Sequence, residues 1–163
     1  MKLIVHQLTS YNAWANDRIL SVINALPNEL HTREIESSFN SLLKTVLHMY
    51  DAESIWWQRM RLSEKVRRPS DDFSGTMKDA SLSLLQQSRQ WQEWSNAAQE
   101  HMFSHEFIYF NTKKEQFKQP VYEVIMQVCN HNTYHRGQLV TMLRQLGVEK
   151  IPQTDFIIYS RKK

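Results

Sequence analysis

Glycine, proline and cysteine are all scarce in this 163-residue chain, with three, four and one respectively. So few glycines and prolines exclude a loop-rich or collagen-like chain, and residues that sit well in helices fill most of the length. The single cysteine, Cys129, excludes an internal disulfide and any cysteine-rich zinc or iron–sulfur motif, which fits a reducing compartment. No apolar run approaches the roughly 20 residues that cross a bilayer, and the opening MKLIVHQLTS has no apolar region ending in a small-residue cleavage site. The expectation is a soluble, cytoplasmic protein with no membrane partner. A formal net charge of +3 is too small to mark the whole surface for nucleic acid. Its basic residues gather in RMRLSEKVRR (59–68) and the terminal RKK (161–163), patterns that usually mark solvated surface.

What is present is helical periodicity. Over residues 3–26, Leu8, Tyr11, Ala15, Ile19, Val22 and Leu26 recur at steps of three and four until Pro27 halts the pattern. A second helix is expected to start near SSFNS (37–41) and run through Leu42, Val46, Met49, Ile55 and Met60. RRPSDDFSGT (67–76) reads as a loop. Thr76 with Asp79 forms a capping-box pattern that opens a third helix, expected from Met77 to about Glu100. HEFIYF (105–110) and EQFKQ (115–119), separated by NTKK, predict a short hairpin or extended segment. Pro120 suits the first turn of a fourth helix and Gly147 its left-handed end, with Val121–Leu146 between them. DFIIYS (155–160) reads as a strand or a docked tail. The fold class is therefore all-α, a single four-helix-bundle domain over residues 1–163 with a short β-hairpin between helices three and four.

The fourth helix contains CNHNTYHRGQL (129–139). Successive helical residues turn by about 100°, so His131 and His135 project about 40° apart, one turn above each other, and can chelate one ion. Val124, Val128, Gln138 and Met142 share that face, which points the pair inward. A third ligand is needed for an open catalytic site, and His48, within the apolar TVLHMY of the second helix, supplies one if it faces the pair. His101 and His105 share the same spacing but straddle the end of the third helix, and His6 and His31 read as surface residues. Asn132 stands where a zinc-peptidase motif needs its glutamate, which argues against peptidase chemistry. Cys129 lies about 200° around the helix from His131 and faces away from the pair. The five tryptophans, Trp14, Trp56, Trp57, Trp91 and Trp94, read as packing residues before pocket residues.

HNTYHRGQL on the fourth helix, with His48 upstream and YNAWANDRIL (11–20) in the first helix, resembles the DinB/YfiT-like superfamily over nearly the whole chain. The resemblance implies a divalent metal, zinc or nickel most often, held by His48, His131 and His135. It also implies a homodimer and a small-molecule substrate. Some members are transferases that use low-molecular-weight thiols such as bacillithiol, mycothiol or glutathione, while the damage-inducible name describes expression. A thiol S-transferase or a hydrolase is therefore expected. The alternatives are a nucleic-acid-binding bundle using Arg59, Arg61, Lys65, Arg67 and Arg68, and a non-enzymatic bundle stapled by a structural metal. Asn12, Asn16, Asp51, Glu53 and Gln138 are the polar residues on these helices placed to orient the imidazoles.

Overall fold

The structure, a computed structural model, describes residues 1–161. Four long helices dominate it: α1 (Lys2–Asn24), α3 (Leu42–Met60), α4 (Met77–Ala97) and α6 (Val121–Gln145). Short helices α2 (Asn28–Thr32), α5 (Glu100–Ser104) and α7 (Phe156–Ser160) occupy the connections and the tail. The punctuation follows local chemistry. The Ser41 side chain accepts from the Lys44 N–H at the start of α3, and Thr76 and Asp79 exchange both bonds of a capping box at the start of α4. Pro120 precedes α6, and Gly147, just past its end, has φ of +83°, a conformation that glycine adopts without a Cβ penalty.

The expected hairpin is β1 (Glu106–Phe110) paired antiparallel with β2 (Gln116–Pro120), Glu106 opposite Pro120 and Phe110 opposite Gln116. Four expectations need correction or sharpening. DFIIYS is the docked tail and not the strand: it forms the helix α7, which packs through Phe156 and Tyr159 against Tyr11. His31 is buried and its Nε2 lies 2.9 Å from the Ile23 carbonyl, where it ties α2 to the end of α1. His6 is half-buried, with Nδ1 3.2 Å from Ser95 Oγ. The third helix also stops at Ala97, and a new turn begins at Glu100.

α1 packs against α4 and α6, and α3 packs against the same two, so α1 and α3 lie on one diagonal of the bundle and α4 and α6 on the other. The connection from 25 to 41 therefore crosses one end of the bundle, and α5 with the hairpin links α4 to α6. Along the bundle the apolar core divides in two. One cluster gathers Ile19, Ile23, Val46, Met49, Leu84 and Leu143, and the other Trp91, Phe103, Val121, Ile125 and Val128. Between them lies a buried polar layer to which every long helix contributes: Asn12 and Asn16 from α1, Glu53 from α3, Ser88 from α4, Asn132 and Arg136 from α6. No helix among the described residues is long and apolar enough to cross a membrane.

Candidate metal centre

His48 comes from the middle of α3, and His131 and His135 come from successive turns of α6, which packs against α3. One ring nitrogen from each lies within 4.8 Å of the others, and the Nε2 atoms of His48 and His131 are 3.0 Å apart. Two nitrogens at right angles on an ion with bonds of about 2.1 Å stand about 3 Å apart, and two on a tetrahedral zinc about 3.3 Å. Both separations lie close to the observed one. Two imidazole nitrogens this close need either a shared proton or a cation between them, and their spacing fits a divalent ion.

The protonation state fits as well. Burial, then the neighbouring His135 and His131 and the Arg68 charge, lower the His48 pKa from 6.5 to about 4. Burial also lowers His131, with His135 adding to the effect, and lowers His135 against the opposing hydrogen bond it donates to Gln138. Neutral rings present the lone pairs that a metal needs at neutral pH. His135 Nδ1 donates to Gln138 Oε1 at 2.7 Å, which leaves Nε2 as the free acceptor. The Gln138 amide donates in turn to Ser38 Oγ at 2.9 Å and Tyr134 OH at 3.1 Å. Phe39, in the crossing connection, stacks on His48 with centroids 4.0 Å apart and meets His135 edge-on at 5.7 Å. The Phe39 ring thus covers one side of the triad. On the other, His48 and His131 line a cavity of about 930 Å³ with Asp51, Ile55, Trp56, Arg59 and Phe110 among its walls.

Of the polar residues expected around the imidazoles, Gln138 alone bonds to one of them. Asp51 lines the cavity and accepts from the Ser70 N–H at 2.8 Å and the Ser70 hydroxyl at 2.5 Å, which anchors the 3₁₀ turn Pro69–Asp72 to α3. Asn12 and Asn16 turn away, to the polar layer. There both donate to Glu53 Oε1, at 2.9 and 3.3 Å, as do Ser88 Oγ at 2.7 Å and the Asn132 amide. Arg136 Nη1 donates to the Asn12 and Asn16 carbonyl oxygens at 2.9 and 2.8 Å, and its guanidinium lies 5.4 Å from the Tyr11 ring centroid. Burial raises the Glu53 pKa from 4.5 to about 7, against hydrogen bonds from Ser88, Asn12 and Asn132 and the charge of Arg136. This layer fixes the rotation of the α6 turn that carries His131 and His135, because Asn132 and Arg136 are their sequence neighbours on the inward face.

Arg136 is the residue sequence reasoning missed. Its place in HRGQ suggests solvent, yet it is 2% exposed. The signal was indirect: Asn12 and Asn16 interrupt the apolar stripe of the first helix at a spacing of four, and a buried partner with donors was required. Cys129 is buried, faces Leu8 and bonds weakly to its carbonyl at 3.8 Å, away from the histidines, as its helical angle indicated. His101 and His105 are both exposed, outside any cluster with metal-binding geometry among the described residues.

Comparison with known proteins agrees with this architecture. The DinB family model matches residues 1–162. Protein DinB of Bacillus subtilis (strain 168) is 31% identical over 171 residues, an alignment covering 94% of this chain and 91% of that protein. The crystal structure of a DinB-like protein from Bacillus cereus ATCC 10987 superposes with a TM-score of 0.66 at 16% identity, covering 85% of this chain and 89% of that one, and so shares the fold. With a family match over almost its whole length and a four-helix bundle whose α3 and α6 bring three histidines together, the chain belongs to the DinB family.

Proposed function

We propose that His48, His131 and His135 hold a divalent metal, zinc or nickel, and that the centre is catalytic, serving a thiol S-transferase or a hydrolase. The observation that carries this reading is the convergence of three ring nitrogens beside a cavity open to two of the three rings. A divalent ion held by three imidazoles keeps an exchangeable position and lowers the pKa of a thiol or water bound there. The chain's own residues set the conditions. Gln138 holds His135 in the ligating tautomer, Phe39 shields one side from water, and the cavity admits a small-molecule substrate from the other. A purely structural metal is less well supported, because a closed site has no use for a cavity against two of its ligands.

The proposal includes a cytoplasmic setting, and a homodimer supported by the exposed apolar side chains of Leu3, Ile4 and Met126 on the adjacent helices α1 and α6. Sedimentation equilibrium tests the dimer. The catalytic reading is tested by a screen of metal-loaded protein with several low-molecular-weight thiols against model electrophiles and esters, with His131→Ala as control. Turnover in the parent protein that the control lacks is expected. Equal rates in both, or none with any thiol or ester, would count against a catalytic centre.

A further inference from the structure

The cavity beside the triad contains one cation whose surroundings do not account for it. Arg59 lines it together with His48 and His131. The other charged groups around the cavity are mostly engaged. Arg68 donates to Asp71 at 2.6 and 2.8 Å, and Asp51 receives two bonds from Ser70. Arg67 and Asp72 lie exposed at the rim. Arg59, by contrast, is half-buried, and among the described residues it forms no salt bridge and its enclosed Nε has no acceptor. Two aromatic faces hold it instead, Trp56 at 4.8 Å and Tyr109 at 5.3 Å from ring centroid to guanidinium carbon. Aromatic faces attract the charge and leave the N–H edge free, and that edge matches the two oxygens of an anion.

Its placement is specific. His48 and Arg59 are eleven residues apart on α3, about three turns, and so share one face. Their Cα atoms differ by about 16 Å along the axis, and helical side chains lean toward the N-terminus, as the stacking of Arg59 on Trp56 confirms. His48 leans the same way and the longer arginine further, so the guanidinium lies roughly 10–15 Å from the level of the triad.

We propose that this cavity receives a substrate with an anionic end, a carboxylate, sulfonate or phosphate, which Arg59 binds while the other end reaches the histidine triad. The proposal rests on the triad being the reaction centre and adds the class of substrate that reaches it. Arg59 acts as a specificity residue, and the length of the cavity between it and His48 sets the length of the ligand.

The test compares 8-mercaptooctanoate with the neutral 8-mercaptooctan-1-ol, each on the order of 10 Å long to match that span. Calorimetric titration into cobalt-loaded parent, Arg59→Met and Arg59→Lys proteins is read beside the cobalt visible spectrum. The parent is expected to bind the carboxylate about tenfold more tightly than the alcohol, a preference lost in Arg59→Met, which keeps the stem over Trp56, and largely kept in Arg59→Lys. No preference in the parent, or the same preference in Arg59→Met, would overturn the anion site. A preference that depends on Arg59 in protein without cobalt absorption would support the anion site while overturning the metal reading.

Discussion

Replacing Glu53 by glutamine should remove a pH dependence of stability that has one identifiable source. Glu53 is fully buried, and its Oε1 accepts from Asn12, Asn16, Ser88 and Asn132 while Oε2 has no partner. Burial raises its pKa from 4.5 to about 7. Between these values the folded chain binds more protons at this site than the unfolded chain, so its contribution is greatest below about pH 4.5 and declines as pH rises through about 7. At about 1.4 kcal/mol per pH unit, the decline amounts to about 3 kcal/mol. The assay is urea denaturation of the parent and Glu53→Gln proteins between about pH 4.5 and 8, with the difference in stability plotted against pH so that every other titrating group cancels. Glutamine keeps the accepting oxygen and places an amide N–H where Oε2 has no partner, which adds a constant penalty of about 1–3 kcal/mol. The parent should therefore lose about 3 kcal/mol relative to the variant across the range. Curves that stay parallel would refute the assignment of a raised pKa to Glu53.

Three further outcomes follow from the packing. Cys129 is 2% exposed and burial pushes its thiol well above the usual range, so it should resist a thiol reagent at neutral pH in the native protein and react stoichiometrically in denaturant; rapid native reaction would contradict its placement. Trp91 is 1% exposed, meets Trp57 edge-on at 5.0 Å and donates to the Glu53 carbonyl, and Trp91→Ala should cost about 3–5 kcal/mol in urea denaturation. Gln138→Ala should weaken metal binding by about 10- to 100-fold in competition with a chelating dye, because His135 loses the acceptor that fixes its tautomer; an unchanged affinity would sink that role.

The legible parts of the sequence were those governed by local chemistry. Pro27, Ser41, the Thr76–Asp79 box, Pro120 and Gly147 each act within a few residues of themselves, and each long helix begins or ends where they place it. The His131–His135 pair was equally local, since one helical turn fixes it. That His48 faces the pair is a property of how α3 packs on α6, which periodicity does not encode; the family resemblance supplied it. The central polar layer lay beyond reach for the same reason. Asn12, Asn16 and Glu53 read as partners of the imidazoles, and only the meeting of four helices joins them instead to Ser88, Asn132 and Arg136. DFIIYS was legible as a docked tail but not as a helix, because a five-residue helix is held by its contacts with Tyr11 and not by its own propensity. His31 was misplaced because its burial depends on the end of a neighbouring helix.

The central claim is that three histidines hold one divalent ion, and metal content measures it directly. Protein purified without chelating resin and exchanged into metal-free buffer should contain about one zinc or nickel per chain by elemental analysis, and the combined His48→Ala, His131→Ala, His135→Ala variant should contain essentially none. Equally little metal in both preparations, or equal loading of both, would contradict it.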